Sequence, residues 1–155
     1  MITTRRSVEK DFELTFEIKK SALKDYIIQA FGPWKEDRQL AEHRKDFSSG
    51  QFEIIEADGV GAGYLWVRRT DKAIYLVDIC VSPEYQGNGI GSRIIGKLLS
   101  EAKARRLPVE LGVFKVNHSA LKLYKKLGFN QTSETQTHIL MRSLLPAGYR
   151  LLQPF

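Results

Sequence analysis

The sequence predicts one mixed α/β domain over residues 1–155, with elements in the order β-α-α-β-β-β-α-β-α-β-β. Three observations carry that reading. Apolar runs of strand length alternate with stretches of helical period. A strand, a helix and a second strand follow one another between residues 73 and 116, the pattern of a right-handed parallel crossover. A chain of 155 residues suffices for one core and is short for two ordinary domains.

Phe12, Leu14, Phe16 and Ile18 alternate with Glu13, Thr15 and Glu17, which predicts a half-buried first strand over 12–18. Ser21 is a candidate cap for a helix from Ala22 to Phe31, with Gly32 as its stop. Gly32-Pro33-Trp34 reads as a turn, and a second helix, only moderately amphipathic, is predicted from Glu36 to Phe47. Gln51 to Ala57 and Gly61 to Arg69 read as strands joined by an Asp58-Gly59 hairpin turn. Ala73 to Ser82 has few polar breaks, as expected of a strand buried on both faces. In the helix from Ile90 to Ala104, Ile94, Ile95, Leu98, Leu99 and Ala102 form an apolar stripe. Val109 to Val116 is the next strand, Asn117 to Leu127 a helix stopped by Gly128, and Phe129–Thr132 and His138–Leu144 two closing strands. The stretch from Pro146 to Phe155 is apolar without a period and predicts no element.

Composition narrows the function classes. With 43% hydrophobic residues the chain reads as globular, and no apolar run reaches the length of a membrane span. The N-terminus lacks an apolar signal core, so a cytoplasmic protein without membrane partners is expected. Cys80 is the only cysteine, and His43, His118 and His138 are far apart, so neither a disulfide nor a metal site is expected. The net charge of +6 suits a nucleic acid or a polyanionic cofactor. The basic residues are scattered and no recognition motif accompanies them, so no nucleic-acid partner is expected.

The most informative stretch follows the strand at 73–82. Gln86-Gly87-Asn88-Gly89-Ile90-Gly91-Ser92 is a glycine-rich turn that opens directly into a helix. Glycines let backbone N–H groups approach a ligand closely, and a helix start adds unpaired N–H groups. Together they make an anion site suited to a pyrophosphate. The dinucleotide spacing G-x-G-x-x-G is absent because position 94 is Ile, and no Gly-Lys-Ser/Thr follows. The Q-x-x-G-x-G arrangement resembles the acetyl-coenzyme A loop of the GCN5-related N-acetyltransferase (GNAT) family. About thirty residues on, Lys115 to Phe129 resembles the family's second pattern, N-x-x-A-x-x-L-Y-x-x-x-G-F, with Asn117, Ala120, Leu123, Tyr124, Gly128 and Phe129 in place. Asn117 and Tyr124, seven residues apart, share one helix face.

The resemblance covers residues 50 to 144 well and the first fifty by topology. It implies the GNAT acyl-CoA N-acyltransferase fold, in which two parallel strands, here about 73–82 and 109–116, splay apart to admit pantetheine. It implies an acetyltransferase that moves an acetyl group from acetyl-CoA directly to an amine. Ile79, Cys80 and Val81 would offer backbone groups to pantetheine, with the N–H of Val81 as oxyanion donor. Gln86, Gly87, Asn88, Gly89, Ile90, Gly91 and Ser92 would cradle the pyrophosphate. Asn117 would hydrogen-bond pantetheine or a water, and Tyr124 would protonate the departing thiolate.

Asp78, the lone carboxylate in an apolar strand, is the candidate base. It stands where some family members carry a Glu-Asp pair, and here the first of the pair is Val77. Asp78 either takes the proton or pairs with a cation. Glu17 and Glu56 are candidates for a water chain, and His138 for an alternative base on the acceptor side. Cys80 lies in an apolar strand, where thiols are inert. The resemblance implies an acceptor cleft between 31–37 and 132–137, where Trp34 would stack on the acceptor and Glu36, Asp37 or Glu134 would greet a cation. The acceptor itself, a small-molecule amine or a peptide or protein amine, stays open, as does monomer or homodimer. The competing reading is a non-catalytic acyl-CoA-binding or sensor domain.

Overall fold

The alternation at residues 12–18 folds as a helix, not a strand. In the structure, a computed structural model that describes residues 1–144, α1 runs Phe12–Phe31. Thr15 decides the matter. A strand would turn it to solvent with Glu13 and Glu17, yet it is fully buried, while Leu14 on the supposed inner face is 36% exposed. A helix places Phe12, Thr15 and Phe16 on one face at i, i+3 and i+4. The Thr15 hydroxyl donates to the Phe12 carbonyl at 2.9 Å and lies 2.8 Å from Nε2 of His43. The first strand lies earlier, β1 Ile2–Arg6, so the order of elements is kept while that strand moves. Arg5 of β1 grips buried Asp11 through two 2.9 Å bonds and so ties the edge strand to the start of α1.

α2 (Glu36–Phe47), β2 (Phe52–Ala57), β3 (Val60–Arg69), β4 (Ile74–Val81), α3 (Ile90–Arg105), β5 (Val109–Phe114), α4 (His118–Lys126), β6 (Phe129–Glu134) and β7 (His138–Ser143) follow within a few residues of their expected bounds. The stretch from Pro146 to Phe155 lies outside the described residues. Among the described residues, the sheet has seven strands in the order β1-β2-β3-β4-β5-β7-β6, of which only β4 and β5 pair in parallel, joined by the crossover through α3. One face carries a core of Phe12, Ile18, Phe47, Phe52, Ile54, Tyr64 and Cys80 under α1 and α2. The other packs α3 and α4 on Ile55, Leu65, Val67, Ile74, Leu76 and Val109.

Two irregularities in β4 prepare the site. The ladder between β3 and β4 pairs Trp66 with Asp78 and Val67 with Leu76, which leaves Val77 as an extra residue. Such a bulge re-aims the side chains that follow it. Ile74 and Leu76 face α3, whereas beyond the bulge Cys80 packs in the core under α1 and Ile79 and Val81 take over the α3 face. The second irregularity is a splay. β4 and β5 pair only from Ile74 with Val109 to Leu76 with Leu111, then part. β4 is therefore not buried throughout: Val77 is exposed, and Asp78, Ile79 and Val81 are half-buried along the gap.

Candidate active site

A groove of about 440 Å³ opens where the strands part. Its floor is Ile79, Cys80 and Val81 of β4, and its end is the turn into α3, with Gln86, Gly87, Gly89, Ile90, Gly91 and Ser92 on the wall. Gly87 and Gly89 sit in the left-handed region at φ 82° and 76°, which side-chain-bearing residues rarely adopt. Gly89 is the N-cap of α3 and offers no side chain as a cap, so the first N–H groups of the helix are left for a ligand. A Cβ on Gly91 would meet nothing closer than Leu123 at 3.9 Å, so the chain itself does not demand glycine there. Space beside uncapped N–H groups at a helix start fits a pyrophosphate. The Ile90 side chain is buried core, so it can contribute only its backbone. Asn88 does not line the groove; its side chain donates to the Tyr85 carbonyl at 3.3 Å and shapes the turn. Gln86 braces the turn on β4 by donating to the Val81 carbonyl at 2.8 Å.

The backbone at the end of β4 faces the right way for an oxyanion donor. The Ser82 N–H donates to the Ala62 carbonyl at 2.8 Å. Hydrogen-bonded and non-bonded pairs alternate in an antiparallel ladder, so the next pair, Gly63 with Val81, is of the other kind. The Val81 N–H accordingly points away from β3, toward the side that β5 has left.

A second cavity of about 620 Å³ lies between α1, α2, β4 and β5. Leu23, Ile79, Asn117 and Tyr124 line both spaces. The structure thus brings Asn117, Tyr124 and Asp78 together around the meeting point, with Asp78 and His138 on the second cavity. Asn117 caps α4, its Oδ1 accepting the Ala120 N–H at 3.1 Å, which leaves the amide N–H groups to reach a ligand. Tyr124 is buried, and burial, followed by the charge of Asp78, raises its pKa, so it holds its proton at neutral pH.

Among the described residues, Asp78 pairs with neither an arginine nor a lysine. It accepts a 2.9 Å hydrogen bond from the hydroxyl of Tyr64, which is fully buried and stacked on Phe52 at 5.0 Å. Burial pushes the Asp78 pKa up, while the Tyr64 bond and the Lys19 charge pull it back. Tyr64 was invisible as a site residue because only the β3–β4 register, which sets it against Cys80, brings it to Asp78. The Cys80 thiol lies 3.3 Å from the Tyr64 hydroxyl, and burial beside Asp78 raises its pKa well above normal, so it remains a thiol.

The acceptor side differs from expectation. Trp34 does not line the cavity; its Nε1 donates to Glu36 at 2.6 Å and its ring packs on Phe16 and under Lys24. Glu36 also binds Lys20 at 3.1 Å, Glu134 binds Lys115 at 3.0 Å, and Asp37 lies off the wall. Glu17 sits on α1 and not on a strand, and Glu56 pairs with Arg5 at 3.4 Å. His138 stacks 4.4 Å from Phe114 with Nδ1 2.8 Å from the Thr137 hydroxyl, and burial lowers its pKa, so its ring is neutral at pH 7. Lys19, Lys35, Arg38 and Gln39 line the cavity unannounced. The strand reading of 12–18 hid Lys19; on a helix, Phe12, Phe16, Lys19 and Leu23 share a face.

Comparison with known proteins bears on this geometry. Residues 16–129 match the acetyltransferase (GNAT) family. The chain belongs to that family. It is 36% identical over 124 residues to the ribosomal protein bS18-alanine N-acetyltransferase of Haemophilus influenzae, covering 78% of this chain and 76% of that one. It is 44% identical over 95 residues to the thialysine N-epsilon-acetyltransferase of Bos taurus, covering 54% and 56%. The fold superposes with a TM-score of 0.72 on the PaiA N-acetyltransferase of Thermoplasma acidophilum in complex with coenzyme A, at 19% identity over 92% of this chain and 98% of that one. GNAT enzymes use acetyl-CoA as cosubstrate, and this chain is an acetyl-CoA-dependent N-acetyltransferase of that family. Among the described residues, no group of His, Cys, Asp and Glu could hold a metal, and no helix is long and apolar enough to cross a membrane.

Proposed function

We propose that this GNAT enzyme transfers the acetyl group directly to a primary amine while both substrates are bound. The observation that supports this is the meeting of the two cavities at Ile79, Asn117 and Tyr124. A donor in one and an acceptor in the other would confront each other there without leaving the protein, which converts a bimolecular step into an intramolecular one. A ping-pong route through Cys80 is disfavoured, because a thiol held protonated by burial is a poor nucleophile.

Acetyl-CoA supplies an activated thioester. The glycine turn and the start of α3 would hold its pyrophosphate, and Asn117 its pantetheine. The Val81 N–H would stabilise negative charge that develops on the carbonyl oxygen in the transition state. The amine nitrogen forms its bond to the carbonyl carbon as the carbon–sulfur bond breaks. Asp78 takes the proton from the amine, and Tyr124 gives its proton to the leaving sulfur. Tyr64 fixes the Asp78 carboxylate by donating to Oδ2 at 2.9 Å, and Oδ1, which takes only a long 3.7 Å contact from the Cys80 thiol, would face the amine. The related enzymes' named acceptors, a protein alanine and the amino acid thialysine, bracket the acceptor class as a peptide or a small amine.

The test is CoA release followed with a thiol-reactive dye, at fixed acetyl-CoA and with amines, amino acids and peptides varied. Amine-dependent release supports transfer. Binding of acetyl-CoA in a thermal-shift assay without release by any amine would instead support a binding domain.

A further inference from the structure

We propose that the acceptor is an amine that carries a carboxylate, its nitrogen at Asp78 and Tyr124 and its carboxylate at Lys19 and Lys35. This rests on the transferase reading above and narrows its substrate.

The argument comes from charge pairing around the second cavity. Lys19, Lys35, Arg38, Asp78 and Glu42 are its charged lining residues. Arg38 and Glu42 bind each other at 3.1 Å and cancel. That leaves Lys19 and Lys35 facing the single carboxylate of Asp78. Among the described residues neither lysine makes an ion pair or a side-chain hydrogen bond, although acids are near in the chain. Their neighbour outside the cavity, Lys20, is paired with Glu36, and Lys24 lies over Trp34. On α1, the lysine that lines the cavity is therefore without an ion pair, while Lys20 and Lys24 beside it have partners. Lys19 is half-buried and its charge reaches Asp78, yet its ammonium makes no hydrogen bond among the described residues, so its donors are left for a bound anion.

Of the acids that sequence alone placed to greet an ammonium, Glu36 and Glu134 are bound to other lysines and Asp37 lies off the cavity wall. The cavity offers one carboxylate to an ammonium and two cations to an anion, which is the complement of a zwitterion. Between the charged ends, Ile27, Phe31, Leu111 and Phe114 give an apolar wall for the carbon chain that joins amine and carboxylate, with Phe31 still 65% exposed and edge-on to Phe114 at 6.1 Å.

Matched pairs of acceptors that differ only in the carboxylate test this: 5-aminopentanoate against pentylamine, L-lysine against 1,5-diaminopentane, and a short peptide amine followed by Asp against the same peptide with Asn. The carboxylate-bearing member of the pair that is turned over should have a kcat/KM at least about tenfold higher, equivalent to about 1.4 kcal/mol. Lys19→Met and Lys35→Glu should remove most of that preference, and raised salt should weaken it. Lys35 is exposed, so the second variant keeps the test independent of folding. Equal kcat/KM within the pairs, or a preference intact in both variants, overturns the carboxylate assignment and leaves the transferase reading standing. No turnover of any member of any pair overturns both.

Discussion

Asp78 is a carboxylate held by a phenol, and this determines how it should respond to substitution. Its proton affinity is raised first by burial and lowered by the Tyr64 bond. Tyr64→Phe removes a hydrogen bond to a charged group, worth about 1.5–3 kcal/mol. The acidic limb of the kcat/KM–pH profile should therefore move to higher pH, with activity on that limb falling about tenfold. Asp78→Asn should abolish the limb. A limb that stayed in place in both variants would assign the base to a water or to His138. Tyr124 holds its proton because burial raises its pKa, so Tyr124→Phe should lower kcat by about a hundredfold, within the usual range for a general acid, and change acetyl-CoA affinity little. Stopped-flow single-turnover rates alongside binding titrations separate the two effects. Asp78 and Tyr124 could be read in the sequence because an isolated carboxylate in an apolar strand and a tyrosine two helical turns from an asparagine are local patterns. Tyr64 and Lys19 could not, because each reaches the site through a register or a helix phase that is fixed only in three dimensions.

Among the elements, the proposed function rests on the start of α3 and the bulge in β4. Gly89 sits at φ 76°, where a β-branched residue costs at least about 1–2 kcal/mol. Gly89→Val should distort the turn and raise the Kd for coenzyme A by about tenfold or more, measured by calorimetry, with the Tm changed by only a few degrees because the turn is exposed. Unchanged affinity would contradict the assignment of the pyrophosphate to this turn. The extra residue Val77 flips the faces of the residues beyond it, so that Ile79 and Val81 succeed Ile74 and Leu76 against α3. No sequence pattern announced that bulge, since Val77 continues an apolar run. The first helix was misread for a related reason. Over seven residues the apolar positions fit period 2, and only the buried hydroxyl of Thr15, bonded to Phe12 and His43, shows that the period is 3.6. β1 was missed because Ile-Thr-Thr-Arg-Arg has no apolar face; its pairing with β2 comes from the backbone ladder.

For the whole molecule, α1 and α2 close over the sheet around His43, which is 1% exposed among Phe12, Phe16, Phe47, Phe52 and Tyr64. Burial, then the charges of Lys19 and Arg44, lowers its pKa from 6.5 to about 4. Above about pH 6.5 the ring is neutral in both folded and unfolded chains and contributes no pH dependence. As the pH falls toward 4, the unfolded chain binds a proton that the folded one refuses. Stability should fall by up to about 3 kcal/mol over that window. Urea unfolding at stepped pH should show this slope, and His43→Phe should flatten it; a slope unchanged in the variant would assign the loss to carboxylates. The same closure of α1 and α2 bounds the second cavity and sets it against the groove at the glycine turn. The order of elements and both motifs were legible in the sequence, because strand–turn–helix patterns and glycine positions are local. The charge of the second cavity was not, because it is assembled from α1, α2 and β4.

The most direct measurement is the initial rate of CoA release with acetyl-CoA and a productive amine both varied. Double-reciprocal lines that intersect, with no release in the absence of amine, are predicted for transfer between two cavities that meet at Tyr124. Parallel lines, with a burst of CoA before amine is added, would show an acetylated protein on the pathway and contradict direct transfer.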